Sequence, residues 1–228
     1  MRLLLDTANI DDIRYFNAYY PIVGVTTNPT ILAREGGDVL NLLREIREII
    51  GVDKEFHVQV TESDYDKIIE EAKAIVNFLG KNTFVKIPIS DVGLRATKAL
   101  SDMGYDVTQT AILTAAQAML ASNAGAAYVA PYVSRLENAC ADGIGTVSEI
   151  VDIFAVSGTE TQILAASFKT AKEVLDVAVC GCHTATVSSD IMLKLAAHTT
   201  TDTSIAGFRA DWSKAFGNET LLSMIKGK

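Results

Sequence analysis

An eightfold alternation of short β-type runs with longer helical segments constrains this chain more than any other feature of its sequence. Each run is rich in apolar and β-branched residues, and apolar positions in the segments between runs recur every three to four residues. The runs cover residues 3–6, 22–27, 55–60, 83–89, 106–112, 127–133, 162–168 and 184–188, the last having the fewest large apolar side chains. Because strand-then-helix repeats are typical of parallel βαβ units, we predict an α/β fold, a single (β/α)8 TIM barrel over residues 1–228.

The ends of the helical segments agree with this fold. Residues 39–50 and 65–79 have the spacing of amphipathic helices. Three further segments begin after a residue expected to cap the helix and end before a glycine: Asp91 with Gly104, Thr114 with Gly125, and Thr170 with Gly181. No Gly-x-Gly-x-x-Gly follows the first run, and no Walker motif occurs. The sequence therefore favours the barrel over a doubly wound nucleotide-binding sheet.

Charge and hydropathy exclude several classes of partner. The formal net charge is −8, which provides no basic surface for nucleic acid or for an anionic membrane. No apolar run approaches the roughly 20 residues that a membrane helix requires. The segment from Met1 to Asp6 lacks the features of a signal peptide. We therefore expect a cytoplasmic protein that acts on a small molecule.

The cysteines and histidines give no sign of a metal or cofactor. A chain of this size folds without disulfides, so the three cysteines, Cys140, Cys180 and Cys182, are interpreted as reduced thiols. The Cys-x-Cys pair has no second pair of ligands elsewhere in the sequence. The three histidines, His57, His183 and His198, lack a catalytic or metal-binding context, and structural roles are expected for them.

Polar residues stand at the ends of nearly all the β-type runs. In a barrel, the catalytic side chains come from the C-terminal ends of different strands. The candidates are Asp6, Thr26 with Asn28, Gln59, Lys86, Thr110, Tyr132 with Arg135, and Ser167 with Lys169. Several long polar side chains at equivalent positions predict a shared cavity at this end of the barrel.

Lys86 is the most informative candidate because it interrupts the apolar run Phe84-Val85-Lys86-Ile87. Burying an unpaired ammonium group is costly, and burial therefore lowers the pKa of a lysine. A neutral amine condenses with a ketone to form a Schiff base, so the context predicts a nucleophile. The alternative is a lysine on an edge strand whose charged end reaches solvent.

Imine chemistry also needs an acid or base near the amine, and Asp6 and Tyr132 are the candidates. Gln59 and Thr110 could hold a water molecule for the same proton transfers. The alternatives are a turn-capping role for Asp6 and a core position for Tyr132. Arg135 and Lys169 could grip a phosphate, although surface ion pairing is the alternative for them.

With these residues in place, the sequence resembles the short transaldolase family, and within it the bacterial fructose-6-phosphate aldolases. The resemblance extends over the whole chain. Its anchors are Leu-Asp-Thr-Ala at 5–8, Gly-Val-Thr-Thr-Asn-Pro-Thr at 24–30, Val-Lys-Ile-Pro at 85–88, Ala-Pro-Tyr-Val-Ser-Arg at 130–135 and Ala-Ala-Ser-Phe-Lys at 165–169. Together these motifs are highly specific.

The resemblance implies a role for each candidate around the donor ketone. Lys86 would form the imine, and Asp6 would bind substrate hydroxyls and assist proton transfer. Asn28 and Ser167 would orient the three-carbon unit, and Thr26 is counted with them as a substrate-binding candidate. No metal or other cofactor takes part in such a mechanism.

The resemblance implies the remaining roles as well. Gln59, Thr110 and Tyr132 would position the water or hydroxyl that acts as acid and base. Arg135 would bind the phosphate of an aldehyde such as glyceraldehyde 3-phosphate, with Lys169 as a helper. It also implies a homo-oligomer, a pentamer or decamer, in which a C-terminal helix near residues 203–218 packs on a neighbouring subunit.

Two activities fit the resemblance. Transaldolases of the family are similar in carrying Glu, Asn and Phe where this chain has Gln59, Thr108 and Tyr132. The leading hypothesis is therefore a class I aldolase that reversibly cleaves a phosphorylated ketose, such as fructose 6-phosphate, into dihydroxyacetone and glyceraldehyde 3-phosphate. The alternatives are transfer of a dihydroxyacetone unit between sugar phosphates or sulfonated analogues, and an inactive barrel that only binds sugar phosphates.

Overall fold

The computed structural model describes residues 1–227, and its centre is a closed barrel of eight parallel strands. The strands are β1 (Arg2–Asp6), β2 (Ile22–Thr26), β3 (Glu55–Gln59), β4 (Thr83–Pro88), β5 (Val107–Ile112), β6 (Tyr128–Pro131), β7 (Gln162–Ala165) and β8 (Thr184–Val187). Each strand pairs with the next along the chain, and β8 pairs with β1. The predicted (β/α)8 TIM barrel is confirmed, including its sparse eighth strand.

Helices connect the strands within residues 1–227. They are α1 (Ile10–Tyr19), α2 (Pro29–Glu35), α3 (Val39–Ile50), α4 (Tyr65–Leu79), α5 (Asp91–Asp102), α6 (Ala115–Asn123), α7 (Val133–Glu137), α8 (Gly143–Ser157), α9 (Ala171–Val179), α10 (Ser189–Ala196), α11 (Thr199–Phe216) and α12 (Leu221–Lys226). The amphipathic segments predicted at 39–50 and 65–79 form α3 and α4 with the same bounds. None of these helices has the length and apolarity needed to cross a membrane.

Strands β6 and β7 are shorter than predicted. The run 127–133 stops being a strand at Pro131 and the run 162–168 stops at Ala165, with a single bridge between Tyr132 and Ala166 beyond them. Helix α7 begins at Val133, directly after Tyr132. Apolar continuity overestimated both strands because it does not show where the chain turns away from the sheet.

The helix caps agree with prediction in two of three cases. Thr114 and Thr170 cap α6 and α9, each accepting a hydrogen bond from a backbone N–H three residues later. Asp91 is not a cap: Ser90 accepts the bond from the Gly93 N–H at 2.9 Å, and Asp91 is the first helical residue. A carboxylate in the first turn still interacts favourably with the helix dipole. The predicted N-cap of α5 is therefore wrong by one residue, because Ser90 and not Asp91 occupies the N-cap position.

The main core lies between the barrel and its surrounding helices. Alternate strand residues point to opposite faces. Leu5 therefore packs outward with Ile13 and Phe16 of α1, whereas Leu4 belongs to a small separate cluster with Tyr128 and Leu164. The barrel interior is thus filled by side chains below its catalytic end, as the fold requires.

The chain divides into two compact units. The first is Met1–Met192 and contains the barrel, and the second begins at Leu193. Within the second unit, Trp212 donates a hydrogen bond to the carbonyl of Glu219 at 2.7 Å, and its ring lies 4.6 Å from that of Phe216. Helix α11 contains no buried residue and exposes Ile205, Phe208 and Phe216.

Candidate active site

A cavity of about 540 Å³ opens where the barrel strands end. Eight of the ten predicted site residues line it: Asp6, Asn28, Gln59, Lys86, Tyr132, Arg135, Ser167 and Lys169. Its volume falls within the roughly 300–1,000 Å³ of small-molecule sites. The predicted shared cavity is therefore present. The other two residues, Thr26 and Thr110, are buried and lie behind the lining.

Lys86 lies in the middle of β4 and is only 4% exposed. Its Nζ donates one hydrogen bond to the backbone carbonyl of Thr27, at 3.0 Å. Burial lowers the pKa of the Lys86 amine, and attraction to the Asp6 carboxylate partly opposes that shift. The predicted buried amine is present, and the edge-strand alternative is wrong because β4 pairs on both sides.

Asp6 ends β1 and is held by the adjacent strand. Its Oδ1 accepts a hydrogen bond from Thr26 Oγ1 at 2.5 Å, and Thr26 Oγ1 lies 2.7 Å from the hydroxyl of Thr186. Burial raises the pKa of Asp6, while Lys86 and the Thr26 hydroxyl pull it down. Thr26 therefore orients the carboxylate from behind instead of lining the cavity.

Tyr132 stands at the point where β6 gives way to α7, with its hydroxyl 3.2 Å from Thr110 Oγ1. A bulge between Thr110 and Ile112 leaves Ala111 with a left-handed φ of 60°. The guanidinium carbon of Arg135 lies 4.7 Å from the centre of the Tyr132 ring. The phenol therefore has a hydroxyl partner and a cationic neighbour, and it is not an ordinary core aromatic.

Hydrogen bonds link α7, which follows β6, to the segment that follows β7. Glu173 of α9 accepts hydrogen bonds from the Ser134 hydroxyl at 2.8 Å and from the Lys169 N–H at 2.7 Å. The Ser134 N–H donates to the Ser167 carbonyl, also at 2.8 Å. Ser167 has a φ of 64°, a strained backbone conformation for a residue with a Cβ. Arg135 and Lys169 thus project from linked segments.

Asn28 caps α2, and its Oδ1 accepts a hydrogen bond from the Ile31 N–H at 3.0 Å. This bond leaves the side-chain NH₂ group for a ligand. Arg34, farther along α2, also lines the cavity. The strand-end pattern in the sequence does not identify Arg34, because this residue lies within α2 and not at the end of a strand. The pattern also misses the Thr27 carbonyl, since a backbone atom carries no signal in the residue type.

The histidines lie outside this cavity. His57 is completely buried, with Nδ1 2.8 Å from Thr108 Oγ1 and Nε2 3.3 Å from Glu55. His183 Nδ1 accepts a hydrogen bond from the Ile163 N–H at 3.1 Å, and His198 caps α11. These contacts match the structural roles expected for them. Residues 1–227 contain no group of three His, Cys, Asp or Glu side chains that could hold a metal.

Comparison with known proteins identifies relatives that match nearly the whole chain. The family model described as Transaldolase/Fructose-6-phosphate aldolase matches residues 3–223. A "Probable transaldolase" of Clostridium acetobutylicum is 41% identical over 95% of this chain and 99% of its own length. One from Bacillus cereus is 40% identical over 94% of this chain and 98% of its own.

Solved structures of low identity share the fold. A mandelate oxidase variant is 13% identical with a TM-score of 0.57, over 83% of this chain and 66% of its own. A 3,6-anhydro-D-galactonate cycloisomerase from Zobellia galactanivorans is 12% identical with a TM-score of 0.57, over 82% of this chain and 53% of its own. At these identities, the likeness concerns the barrel alone.

Proposed function

Because this chain belongs to the transaldolase/fructose-6-phosphate aldolase family, we propose that it transfers a dihydroxyacetone unit between sugar phosphates through an imine on Lys86. The observation that carries the proposal is the buried Lys86 amine beside Asp6 in the cavity. Full-length relatives named probable transaldolase support transfer over simple cleavage. The chain is an enzyme of this family, and transfer is the activity we assign to it.

The reaction begins when the neutral Lys86 amine attacks the ketone carbon of the donor. The carbinolamine loses water, and Asp6 and Tyr132 carry out the proton transfers of this step as general acid and base. The resulting iminium accepts the electron pair of the C3–C4 bond as that bond breaks and Asp6 takes the proton of the C4 hydroxyl, so that an aldehyde leaves and an enamine remains. The enamine then attacks the acceptor aldehyde, whose oxygen receives the proton from Asp6, and hydrolysis of the new iminium frees the amine.

Other residues bind and orient the substrate in this proposal. Asn28 and Ser167 hold the hydroxyls of the three-carbon unit, and Thr26 fixes Asp6 through its 2.5 Å hydrogen bond. Arg135, with Lys169 beside it, binds the phosphate at the far end of the sugar, where a guanidinium can make two parallel hydrogen bonds. No metal takes part in any of these steps.

A second candidate is reversible cleavage of fructose 6-phosphate without an acceptor. It is favoured by the Tyr132 hydroxyl, 3.2 Å from Thr110, because a phenol in that place can protonate the enamine and release free dihydroxyacetone. Gln59, in register with Lys86 on the adjacent strand, can hold the water that takes part. A coupled assay for glyceraldehyde 3-phosphate separates the two candidates. Transfer requires erythrose 4-phosphate for rapid turnover, whereas cleavage proceeds without it.

Borohydride trapping tests the mechanism common to both candidates. In the presence of dihydroxyacetone, reduction should add the mass of one donor at Lys86, and Lys86→Met should abolish both the adduct and activity. Lys98→Met is the matched control, because Lys98 is an exposed lysine paired with Asp102 on α5. An adduct at another residue, or an active Lys86→Met variant, would refute the imine. Tight ligand binding without turnover would instead indicate an inactive sugar-phosphate-binding barrel.

We also propose that the protein is a homo-oligomer, a pentamer or decamer, in which α11 packs on a neighbouring subunit. Exposed Phe208 and Ile205 on a helix without a single buried residue support this proposal. Light scattering after size-exclusion chromatography gives the mass. Phe208→Ser should lower the measured mass of the oligomer, whereas Val156→Ser, at an exposed position of α8, should leave that mass unchanged.

A further inference from the structure

The charges that line the cavity are strongly unbalanced. Its acidic residue is Asp6, whereas four basic residues line it: Arg34, Lys86, Arg135 and Lys169. Asp6 is hydrogen-bonded to Thr26 and interacts electrostatically with Lys86. The other three cations remain, on a chain whose formal net charge is −8. Such a concentration of positive charge raises the local concentration of anions.

These three cations lack acidic partners in the part of the chain that the structure describes. Within residues 1–227, no carboxylate lies within 4.0 Å of the charged nitrogens of Arg34, Arg135 or Lys169. Arg14 on α1, outside the cavity, does pair with a carboxylate, that of Glu45, at 2.8 Å. Three cations without a carboxylate partner among the described residues therefore line the same cavity.

The cations reach the cavity from opposite walls. Arg34 belongs to α2, which follows β2, while Arg135 and Lys169 follow β6 and β7. In a closed barrel with sequential strand order, β2 and β6 are four strands apart and therefore face each other. A phosphate bound between Arg135 and Lys169 leaves the charge of Arg34 unneutralised. Arg34 shares its helix with the N-cap Asn28, the residue assigned above to the three-carbon unit.

We propose that Arg34 binds a second oxyanion, attached to the donor end of the substrate next to the carbon that bonds Lys86. The cavity then accepts ketones that carry a phosphate or a carboxylate at this end, in addition to the phosphate at the far end. A guanidinium suits both groups because its planar fork matches two oxygens at once. This inference rests on the Schiff-base function proposed above and extends its substrate class.

Borohydride trapping with different donors tests the role of Arg34. The readout is the donor concentration that gives half-maximal adduct at Lys86 for dihydroxyacetone, dihydroxyacetone phosphate and hydroxypyruvate. For at least one anionic donor, Arg34→Gln should raise that concentration about tenfold or more, as expected for a lost charge-assisted bond. The value for dihydroxyacetone should stay unchanged. Arg14→Gln, outside the cavity, is the matched control.

The outcomes separate this inference from the function on which it rests. If Arg34→Gln raises the half-maximal concentration of dihydroxyacetone phosphate, of hydroxypyruvate or of both, the second oxyanion site is supported and its ligand is identified. Equal effects of Arg34→Gln on charged and uncharged donors overturn it. If dihydroxyacetone labels Lys86 and no anionic donor depends on Arg34, only the inference fails. If no donor labels Lys86, the Schiff-base function fails with it.

Discussion

At the scale of single residues, the chemistry depends on what burial does to two side chains. Desolvation lowers the pKa of Lys86 and raises that of Asp6, so burial pushes both groups toward their neutral forms. Their mutual attraction acts in the opposite direction and favours the charged pair. For Lys86, desolvation is the larger of the two effects, and the pKa of the amine is lowered. A larger fraction of the amine is therefore neutral and able to attack at a pH where an exposed lysine is almost entirely protonated.

Replacing Asp6 by Asn should shift the pH dependence of imine formation to lower pH. The carboxylate raises the pKa of Lys86, so its removal lowers that pKa further and leaves more neutral amine in weakly acidic buffer. The measurement is the rate of borohydride trapping with dihydroxyacetone over a pH series from weakly acidic to alkaline buffer, which does not depend on turnover. Asp102→Asn, at an exposed site on α5, should leave the profile in place. A shift to higher pH would contradict the prediction.

At the scale of elements, Glu173 links the segments that carry the phosphate-binding candidates. Its carboxylate accepts hydrogen bonds from the Ser134 hydroxyl, next to Arg135, and from the N–H groups of Lys169 and Thr170. It also completes the capping box of α9. The positions of two cations, one on α7 and one in the loop after β7, therefore depend on one helix N-terminus.

Glu173→Ala should weaken phosphate binding more than it weakens the fold. Losing a cap interaction costs about 1 kcal/mol of unfolding free energy. Once α7 and the loop after β7 are no longer linked, the KM for erythrose 4-phosphate should rise several-fold, while the KM for an uncharged aldehyde should stay nearly unchanged. Lys172→Ala, an exposed neighbour on α9, is the control. Equal KM changes for charged and uncharged acceptors would show that Glu173 does not position Arg135 and Lys169.

At the scale of the whole molecule, a polar network closes the end of the barrel opposite the cavity. Arg2 of β1 donates hydrogen bonds to Glu55 of β3, Tyr128 of β6 and Gln162 of β7, at 2.8, 2.6 and 2.5 Å. His57 joins it through Glu55 and stacks on Phe84. Burial and the nearby Glu55 carboxylate raise the pKa of Tyr128 to about 12. Strands that are distant in sequence are thus held together by charge and ring contacts.

Because His57 belongs to this network, the free energy of unfolding should decrease in mild acid. Burial lowers the pKa of His57 in the folded protein, so below about pH 6.5 the unfolded chain binds a proton that the folded one resists. The contribution of the lowered His57 pKa to the free energy of unfolding is fully present above about pH 6.5 and decreases as the pH falls toward the pKa of His57 in the folded protein. His57→Phe keeps an aromatic ring but loses the hydrogen bonds of the imidazole. Its free energy of unfolding should therefore be lower by about 1–2 kcal/mol under mildly alkaline conditions.

The pH dependence provides the readout for His57. Between mildly alkaline and mildly acidic buffer, the unfolding free energy from urea titration should fall less in His57→Phe than in the wild type. His183 remains in both proteins, so the difference isolates His57. Parallel pH profiles for the two proteins would contradict this explanation.

The sequence by itself determined the fold, the identity of the candidate nucleophile and eight of the polar side chains that line the cavity. Strand and helix periodicity are local properties, and an ammonium group within an apolar run is recognisable from its neighbours alone. The tertiary structure decided which of these groups touch. The Thr27 carbonyl on Lys86, the placement of Thr26 behind Asp6, and Arg34 at the opposite wall all depend on strand register and barrel closure. These features bring together residues far apart in the chain, and no local pattern encodes such distances.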